Sequence, residues 1–175
     1  MLIDKEIRRL ILNRKMITNY IDLETQLQPN GFDLTIKEVL GFSKSFDPRI
    51  DFTNETRLIS LALPWLPVGG EYCLDPGTYL FRANEFFKTP PDISGWGMPR
   101  STLSRCGITV NSAILDAGYS GHLVFVLNIP QKIYFTTHAR FVQMIFFKLS
   151  EVPAKLYTGV YKEFKETIKS KKYIM

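Results

Sequence analysis

The sequence has few residues of the kinds that bind transition metals or form disulfides. Its 175 residues include two cysteines, Cys73 and Cys106, and two histidines, His122 and His138. Neither cysteine belongs to a C-x-x-C pair, and no histidine spacing matches a zinc deaminase or metalloprotease motif. We therefore expect neither a disulfide scaffold nor a zinc site.

Long apolar segments are also absent. No apolar run approaches the roughly 18 residues that a membrane-spanning helix needs, and no signal peptide is visible at the N-terminus. We expect a soluble, cytoplasmic protein that does not contact a membrane.

The net charge of +5 is concentrated at one end of the chain. The segment 162–175 contains five Lys and two Glu, so +3 of the +5 lies there. Such a tail is compatible with nucleic-acid binding, with a polyphosphate contact or with simple solvation. Because the rest of the chain is nearly neutral, we expect no nucleic-acid partner.

The composition favours strands over helices. The chain has 13 Phe and 8 Tyr, and its 10 Pro and 11 Gly imply many turns. One short helix is predicted at the N-terminus, where Asp4 can act as the cap and Ile7, Leu10 and Ile11 form an apolar stripe. We predict an all-β domain over residues 1–161, a distorted β-barrel or jelly roll with that short helix, followed by a C-terminal tail over 162–175.

Turn-forming residues divide the predicted strands. Pro64 and Pro67 interrupt one strand, Asp75-Pro76-Gly77 indicates a turn, and Pro90-Pro91 marks a boundary. Alternation places His122 with Val124, Val126 and Asn128 on the face opposite Leu123, Phe125 and Leu127. The predicted strands are 32–42, 58–63, 78–83, 93–98, 107–111, 122–129, 132–136 and 141–149.

One segment carries polar chemistry. Ser101 is predicted to cap a helical turn, with Arg100 before it and Arg105 four residues later on the same face, an arrangement that suits a phosphate. Asp116 follows an apolar run and is suited to act as a general base. Both features also have structural explanations, since capped turns with Arg are common and Asp often stabilises turns.

The order of the motifs resembles the family that unites trimeric dUTP diphosphatases and dCTP deaminases. The resemblance covers about residues 28–161 and rests on four motifs in the family's order. They are Gly31-Phe32-Asp33-Leu34, Pro99-Arg100-Ser101 continuing through Leu103 and Arg105, Ile114-Leu115-Asp116-Ala117-Gly118-Tyr119-Ser120-Gly121, and Arg140-Phe141-Val142-Gln143.

This resemblance implies hydrolysis of dUTP to dUMP and pyrophosphate with Mg²⁺ as the cofactor. Asp116 would accept a proton from the water that attacks the α-phosphorus, and Gln143 would hold that water or the third-motif turn. Asp33 would contact the hydrated metal ion, or else act as a hydrogen-bonding residue at the start of its strand.

The resemblance also implies the binding residues. Arg100, Ser101 and Arg105 would bind the phosphates, and Tyr119 would lie against the deoxyribose. Backbone groups of the strand 110–116, which contains Ile114, would read uracil. Tyr157 and Tyr161 belong to a C-terminal pattern like that of the deaminases. A homotrimer with sites between subunits is expected.

Two departures from the family pattern narrow the function. Val126 occupies the position where the deaminases have a Glu, and an aliphatic side chain cannot shuttle protons, so deamination should be absent or negligible. The glycine-rich fifth motif of ordinary diphosphatases is missing, since no glycine follows Gly159. A dUTP diphosphatase is favoured over a deaminase, a bifunctional enzyme or a non-catalytic nucleotide-binding descendant.

Overall fold

The computed structural model describes residues 1–43, 47–53, 55–159 and 161. The predicted tail over 162–175 lies outside the described residues. The described elements are α1 (Asp4–Arg14), β1 (Ile17–Thr18), α2 (Leu23–Gln26), β2 (Leu27–Gln28), β3 (Gly31–Phe42), β4 (Ala62–Trp65), β5 (Glu71–Leu74), β6 (Gly77–Lys88), β7 (Ile93–Pro99), α3 (Ser101–Arg105), β8 (Thr109–Asn111), β9 (Ile114–Leu115), β10 (Ser120–Ile129), β11 (Ile133–Thr136) and β12 (Arg140–Lys148).

Most strands belong to one antiparallel sheet with the order β8-β10-β6-β3-β12-β7-β9. The central strand β3 changes partner along its length, because residues 32–35 pair with β12 whereas 36–41 pair with β6. Register shifts interrupt both pairings, and such bulges bend a strand and increase its twist. The sheet curls into a half-barrel, which confirms the mainly β, barrel-like fold.

The concave face of this sheet holds an aromatic core. The ring of Phe141 lies 5.6 Å from those of Phe81 and Phe125, and Phe81 also packs at 5.3 Å against Phe135. Gly97 of β7 leaves room for this cluster, since a Cβ atom there would collide with the Phe125 ring. Burying each such ring stabilises the fold by about 1.5–3 kcal/mol.

Helix α1 covers one end of this core. Ile7 and Ile11 are fully buried, as the apolar stripe predicts. The predicted cap at Asp4 is wrong by one residue: Ile3 is the N-cap, and its backbone N–H donates to the Glu6 carboxylate at 3.0 Å. The acidic side chain three residues into the helix replaces the cap oxygen that Ile3 lacks.

Pro64 does not end a strand, although its lack of an N–H donor predicted that it would. The prediction of a strand over 58–63 that ends at Pro64 is wrong, because β4 begins at Ala62 and includes Pro64. Within the described part of the chain β4 pairs with β3 alone, and an edge strand tolerates a residue without an N–H donor. The turn at Asp75-Pro76-Gly77 and the break at Pro90-Pro91 are confirmed.

The prediction that His122 lies on the same face of the strand as Val124 is also wrong. A register shift between these two residues turns the imidazole inward, where 7% of the residue is exposed. Its Nδ1 atom lies 3.2 Å from the Ala83 carbonyl and 3.1 Å from the Glu85 carbonyl. A bulge is not visible in a simple alternation of residue types.

No helix in the described ranges has the length and apolarity that crossing a membrane requires. The longest of them, α1, has 11 residues, about half of what a bilayer span needs.

Candidate active site

Three predicted motifs meet near the start of β3, at the side chain of Asp33. The residue is 1% exposed, and its Oδ2 atom accepts hydrogen bonds from Arg100 Nε at 2.9 Å and from Arg140 Nη1 at 3.2 Å. Burial raises the pKa of Asp33, and the charges of Arg100 and Arg140 oppose that shift. One carboxylate and two guanidinium groups leave a net charge of +1, which favours an anionic ligand.

Helix α3 extends this positive group. Arg100 is its N-cap and Ser101 its first residue, so the predicted cap is displaced by one position. Leu103 is buried and fixes the helix to the core. Arg105 Nη1 donates to Ser101 Oγ at 3.4 Å, which places a hydroxyl and a cation side by side on the exposed surface.

Gln143 belongs to the same region. On β12 it lies directly opposite Asp33 of β3 and, on the other side, Met98 of β7. Its side chain covers Gly31, where a Cβ atom would lie 2.9 Å from Gln143 Nε2. The first, second and fourth sequence motifs therefore meet around one positive centre.

Asp116 lies elsewhere, in the turn that follows β9. Its carboxylate is exposed and lines a cavity of about 380 Å³ together with Ser94, Lys155 and Tyr157. Ser94 Oγ donates to the Leu115 carbonyl at 3.0 Å, which fixes the turn to the beginning of β7. A carboxylate that is exposed in a cavity can hold a water molecule and accept a proton from it.

The C-terminal segment folds over this turn. Gly118 has a φ of +79°, and the Leu156 side chain packs where a Cβ atom would project. The Tyr157 N–H donates to the Ala117 carbonyl at 3.0 Å, and the Tyr157 ring packs edge-on against Tyr119 at 5.3 Å. The segment thus covers the third motif of its own chain.

Tyr119 and Tyr161 have defined partners here. The Tyr119 hydroxyl donates to the His122 carbonyl at 2.8 Å, and burial raises the pKa of Tyr119 to about 12, so the phenol is neutral. The Arg57 guanidinium lies 5.7 Å from the centre of the Tyr161 ring, a cation–π contact.

The segment 110–116, which is predicted to read the base, overlaps the two edge strands of the large sheet, β8 and β9. In the described part of the chain β8 pairs with β10 and β9 pairs with β7, so each leaves its outer backbone edge without a strand partner. Ile114 is 62% exposed on β9. Val126 lies on β10 between Leu80 and Asn111, and an aliphatic side chain there provides no group that transfers protons.

The two groups of predicted site residues are far apart within one chain. Asp116 and Ser94 line the same cavity at the start of β7, whereas Arg100 follows its end. Six residues of extended strand span roughly 20 Å. The structure brings Arg100, Ser101, Arg105, Asp33 and Gln143 together but leaves Asp116 and Tyr119 at a separate location.

Sequence reasoning assigned no role to Arg140 or to the buried carboxylate of Glu85. Glu85 accepts hydrogen bonds from Gln26 Nε2 at 2.8 Å and from Thr35 Oγ1 at 2.6 Å. Burial raises the pKa of Glu85, and these donors oppose the shift. The position of Arg140 at the start of the fourth motif could have indicated a functional role. No feature of the sequence around Glu85 indicated that its carboxylate would be buried.

The carboxylates of this region suit a magnesium ion only if the phosphate groups of a substrate supply further ligands. Among the described residues no three His, Cys, Asp or Glu side chains cluster as a metal cage. The buried Asp33 carboxylate is paired with two arginines, whereas Asp116 is exposed. Mg²⁺ retains several waters and binds through phosphates with one or two carboxylates, so it fits as an ion that enters with a phosphorylated substrate.

Comparison with other sequences identifies related proteins over nearly the whole chain. A family model described as dCTP deaminase-like matches residues 1–149. A probable deoxyuridine 5′-triphosphate nucleotidohydrolase of Archaeoglobus fulgidus is 40% identical over 90% of this chain and 92% of its own length. The deoxyuridine 5′-triphosphate nucleotidohydrolase of Methanocaldococcus jannaschii is 30% identical over 87% of this chain and 99% of its own.

Comparison with solved structures supports the fold. The crystal structure of 2′-deoxycytidine 5′-triphosphate deaminase from Agrobacterium tumefaciens superposes with a TM-score of 0.62 and 22% sequence identity. The match covers 83% of this chain and 45% of that one, so the chain spans about half the length of that relative.

Proposed function

The chain belongs to the dCTP deaminase-like family, and from this membership we propose that it is a dUTP diphosphatase, which hydrolyses dUTP to dUMP and pyrophosphate. The observation that carries the proposal is the 40% identity, over 90% of the chain, to an archaeal relative that bears this activity in its name. The exposed carboxylate of Asp116 and the cationic group around Arg100 provide the two kinds of chemistry that such a reaction needs.

The cationic group binds the triphosphate. Arg100 and Arg105 supply guanidinium donors, and Ser101 adds a hydroxyl beside them. Charge-assisted hydrogen bonds of this kind are stronger than neutral ones and orient phosphate oxygens. A Mg²⁺ ion that entered with the substrate would neutralise charge on those oxygens, and phosphoryl transfer chiefly requires positioning and charge stabilisation.

Asp116 is the general base. It accepts a proton from a water molecule whose oxygen forms a bond to the α-phosphorus. The bond from the α-phosphorus to the bridging oxygen breaks in line, and pyrophosphate leaves with that electron pair. Gln143 lies with the Arg100 group, so its amide would hold the water or the third-motif turn of a second copy of the chain. The role of Asp116 is supported by its exposure to a cavity that also contains Lys155.

Uracil and deoxyribose are bound beside the third motif. The outer backbone edges of β8 and β9 present the amide and carbonyl groups that pair with a base, with Ile114 alongside. Tyr119 limits the space around the sugar, which would exclude a ribose hydroxyl. Tyr157 and Tyr161, on the segment that covers this motif, complete the substrate site.

We propose a homotrimer because one chain cannot bring Asp116 and Arg100 to the same triphosphate. A second copy that places its Asp116 against the Arg100 group of the first completes each site, and a head-to-tail contact of this type closes into a ring. The outward face of β7, β9 and β12 supports this assembly. It exposes apolar side chains along the line between the two half-sites, namely Trp96, Met98, Ile114 and Phe147.

A nucleotide assay tests the activity. We expect the protein with Mg²⁺ to release pyrophosphate from dUTP but not from dCTP or UTP. Ammonia released from dCTP would contradict the argument from Val126, and binding of dUTP without any turnover would indicate a non-catalytic descendant.

Mixing two inactive variants tests the shared site. Asp116→Asn and Arg105→Ala each remove a different half of every site, so neither homo-oligomer should hydrolyse dUTP efficiently. After co-expression, chance pairing restores intact halves at about a quarter of the sites. Activity that never exceeds the sum of the two separate variants would show that each site lies within one chain.

A further inference from the structure

Two guanidinium groups converge on a single oxygen of Asp33. Arg100 Nε and Arg140 Nη1 both donate to Oδ2, at 2.9 and 3.2 Å. The other oxygen, Oδ1, is buried and has no hydrogen-bond partner among the described residues. A carboxylate whose function was only to stabilise the fold would be expected to have both oxygens satisfied, because an unpaired buried acceptor is destabilising.

The bonds to Asp33 leave donors available on both arginines. Arg100 donates its Nε–H to Asp33 and an Nη1 hydrogen to the Arg140 carbonyl at 3.5 Å, which leaves its Nη2 group. Arg140 Nη1 bridges Asp33 and the Thr25 carbonyl, the latter at 2.8 Å, which leaves its Nη2 group. The two arginine side chains are 29% and 33% exposed, whereas that of Asp33 is 2% exposed. Both arginine side chains therefore reach solvent, whereas the carboxylate is buried.

Electrostatics explain why a buried anion helps to bind an anion here. Two guanidinium groups held side by side repel one another, and without a carboxylate between them they would move apart. The carboxylate beneath them offsets this repulsion and still leaves a net charge of +1. Preorganised donors of this kind bind a planar or tetrahedral oxyanion without first losing side-chain freedom.

We propose that Asp33 is a positioning residue that holds Arg100 and Arg140 together as a two-guanidinium clamp, and that Arg140 is a further contact to the triphosphate. The proposal rests on the proposed function for the identity of the substrate. It differs from the metal-contact role that the resemblance implies for Asp33, because the clamp acts on phosphate oxygens directly and does not need a metal ion.

The variant Arg140→Lys tests the clamp. Lysine keeps the charge but cannot bridge Asp33, Thr25 and a phosphate oxygen with one planar group. We expect the affinity of the full-length protein for inorganic triphosphate, measured by calorimetry with EDTA present, to fall at least about tenfold. Arg14→Lys is the matched control, because Arg14 also pairs with an aspartate: it forms a 2.9 Å ion pair with Asp92 at the end of α1. The affinity of this control variant for inorganic triphosphate should stay within about twofold of the wild-type value.

Asp33→Asn separates positioning from metal binding. A positioning role predicts a higher KM for dUTP and weaker metal-free binding of inorganic triphosphate, at an unchanged Mg²⁺ requirement. If this variant does not fold, Arg140→Lys decides the question alone. Wild-type affinity in Arg140→Lys would overturn the clamp, and a changed Mg²⁺ requirement with normal metal-free binding in Asp33→Asn would favour the metal contact.

These outcomes are distinct from a failure of the proposed function. A wild-type protein that binds inorganic triphosphate through Arg140 but does not hydrolyse dUTP would retain the clamp and contradict the diphosphatase. A wild-type protein that hydrolyses dUTP and whose Arg140→Lys variant binds normally would contradict only the clamp.

Discussion

Trp96 of β7 and Ile114 of β9 are directly opposite each other on the outer face of the sheet, and they are 47% and 62% exposed. Neighbouring apolar side chains of this size on one face are typical of a protein interface. Their position between the Arg100 group and Asp116 is the reason that we assign this face to a second copy of the chain.

Trp96→Lys should weaken the assembly. Placing a charge at the centre of an apolar contact costs about 2 kcal/mol or more, so the concentration at which the oligomer dissociates should rise at least tenfold. Analytical ultracentrifugation measures this concentration, and dUTP hydrolysis should decline in parallel. Leu12→Lys is the control, because Leu12 is 46% exposed on α1. An unchanged dissociation concentration in Trp96→Lys would place the interface elsewhere.

Asp116→Asn should abolish most of the turnover and leave the fold intact. An amide cannot accept the proton from water, and general bases contribute about 10²- to 10⁴-fold to a rate. The affinity for a non-hydrolysable dUTP analogue and the melting temperature should remain near the wild-type values, because the side chain is exposed. Asp75→Asn serves as the control at another exposed carboxylate. Full activity in Asp116→Asn would remove this residue from the mechanism.

The buried imidazole of His122 should make the protein less stable in mild acid. Burial and the charges of Lys37 and Arg82 lower the pKa of His122, whereas its bonds to the Glu85 and Ala83 carbonyls oppose this shift. As the pH falls below about 6.5, the unfolded chain takes up this proton before the folded chain does. Unfolding then binds a proton, and the free energy of unfolding decreases.

Chemical denaturation at about pH 7.5 and pH 5.5 measures this effect. Between these two pH values, the free energy of unfolding should decrease less in His122→Gln than in the wild type. The other histidine of the chain is the control: His138 is exposed with a φ of +64°, so His138→Asn should retain the wild-type decrease. An identical pH dependence in His122→Gln and the wild type would contradict the prediction.

Gly97→Ala should destabilise the core. The added methyl group would collide with the Phe125 ring and lie 3.0 Å from Val142 Cγ1, and overpacking of this kind costs about 1–3 kcal/mol. Gly41→Ala is the matched control, because its nearest neighbour is the Trp65 ring at 3.5 Å, an ordinary contact. Urea denaturation compares the two, and equal midpoints would show that the core relaxes around the new side chain.

Local chemistry made several features predictable from the sequence. Proline presets a backbone angle and lacks an N–H donor, so the turn at Asp75-Pro76-Gly77 and the break at Pro90-Pro91 followed directly. The abundance of aromatic residues and turn signals indicated the mainly β fold, and the order of the four motifs identified the family. The position of Asp116 at a turn after an apolar run was likewise visible as a pattern of residue types.

Long-range pairing decided the rest. Asp33 and Arg140 are 107 residues apart in the chain and meet only because β3 and β12 pair in one particular register. A bulge turned His122 inward, and no local pattern shows where an extra residue enters a ladder. The sequence by itself therefore determined which chemical groups the protein carries. Tertiary structure decided that Asp33 holds two arginines and that Asp116 lies at the opposite end of β7 from Arg100, because both depend on strand order and register.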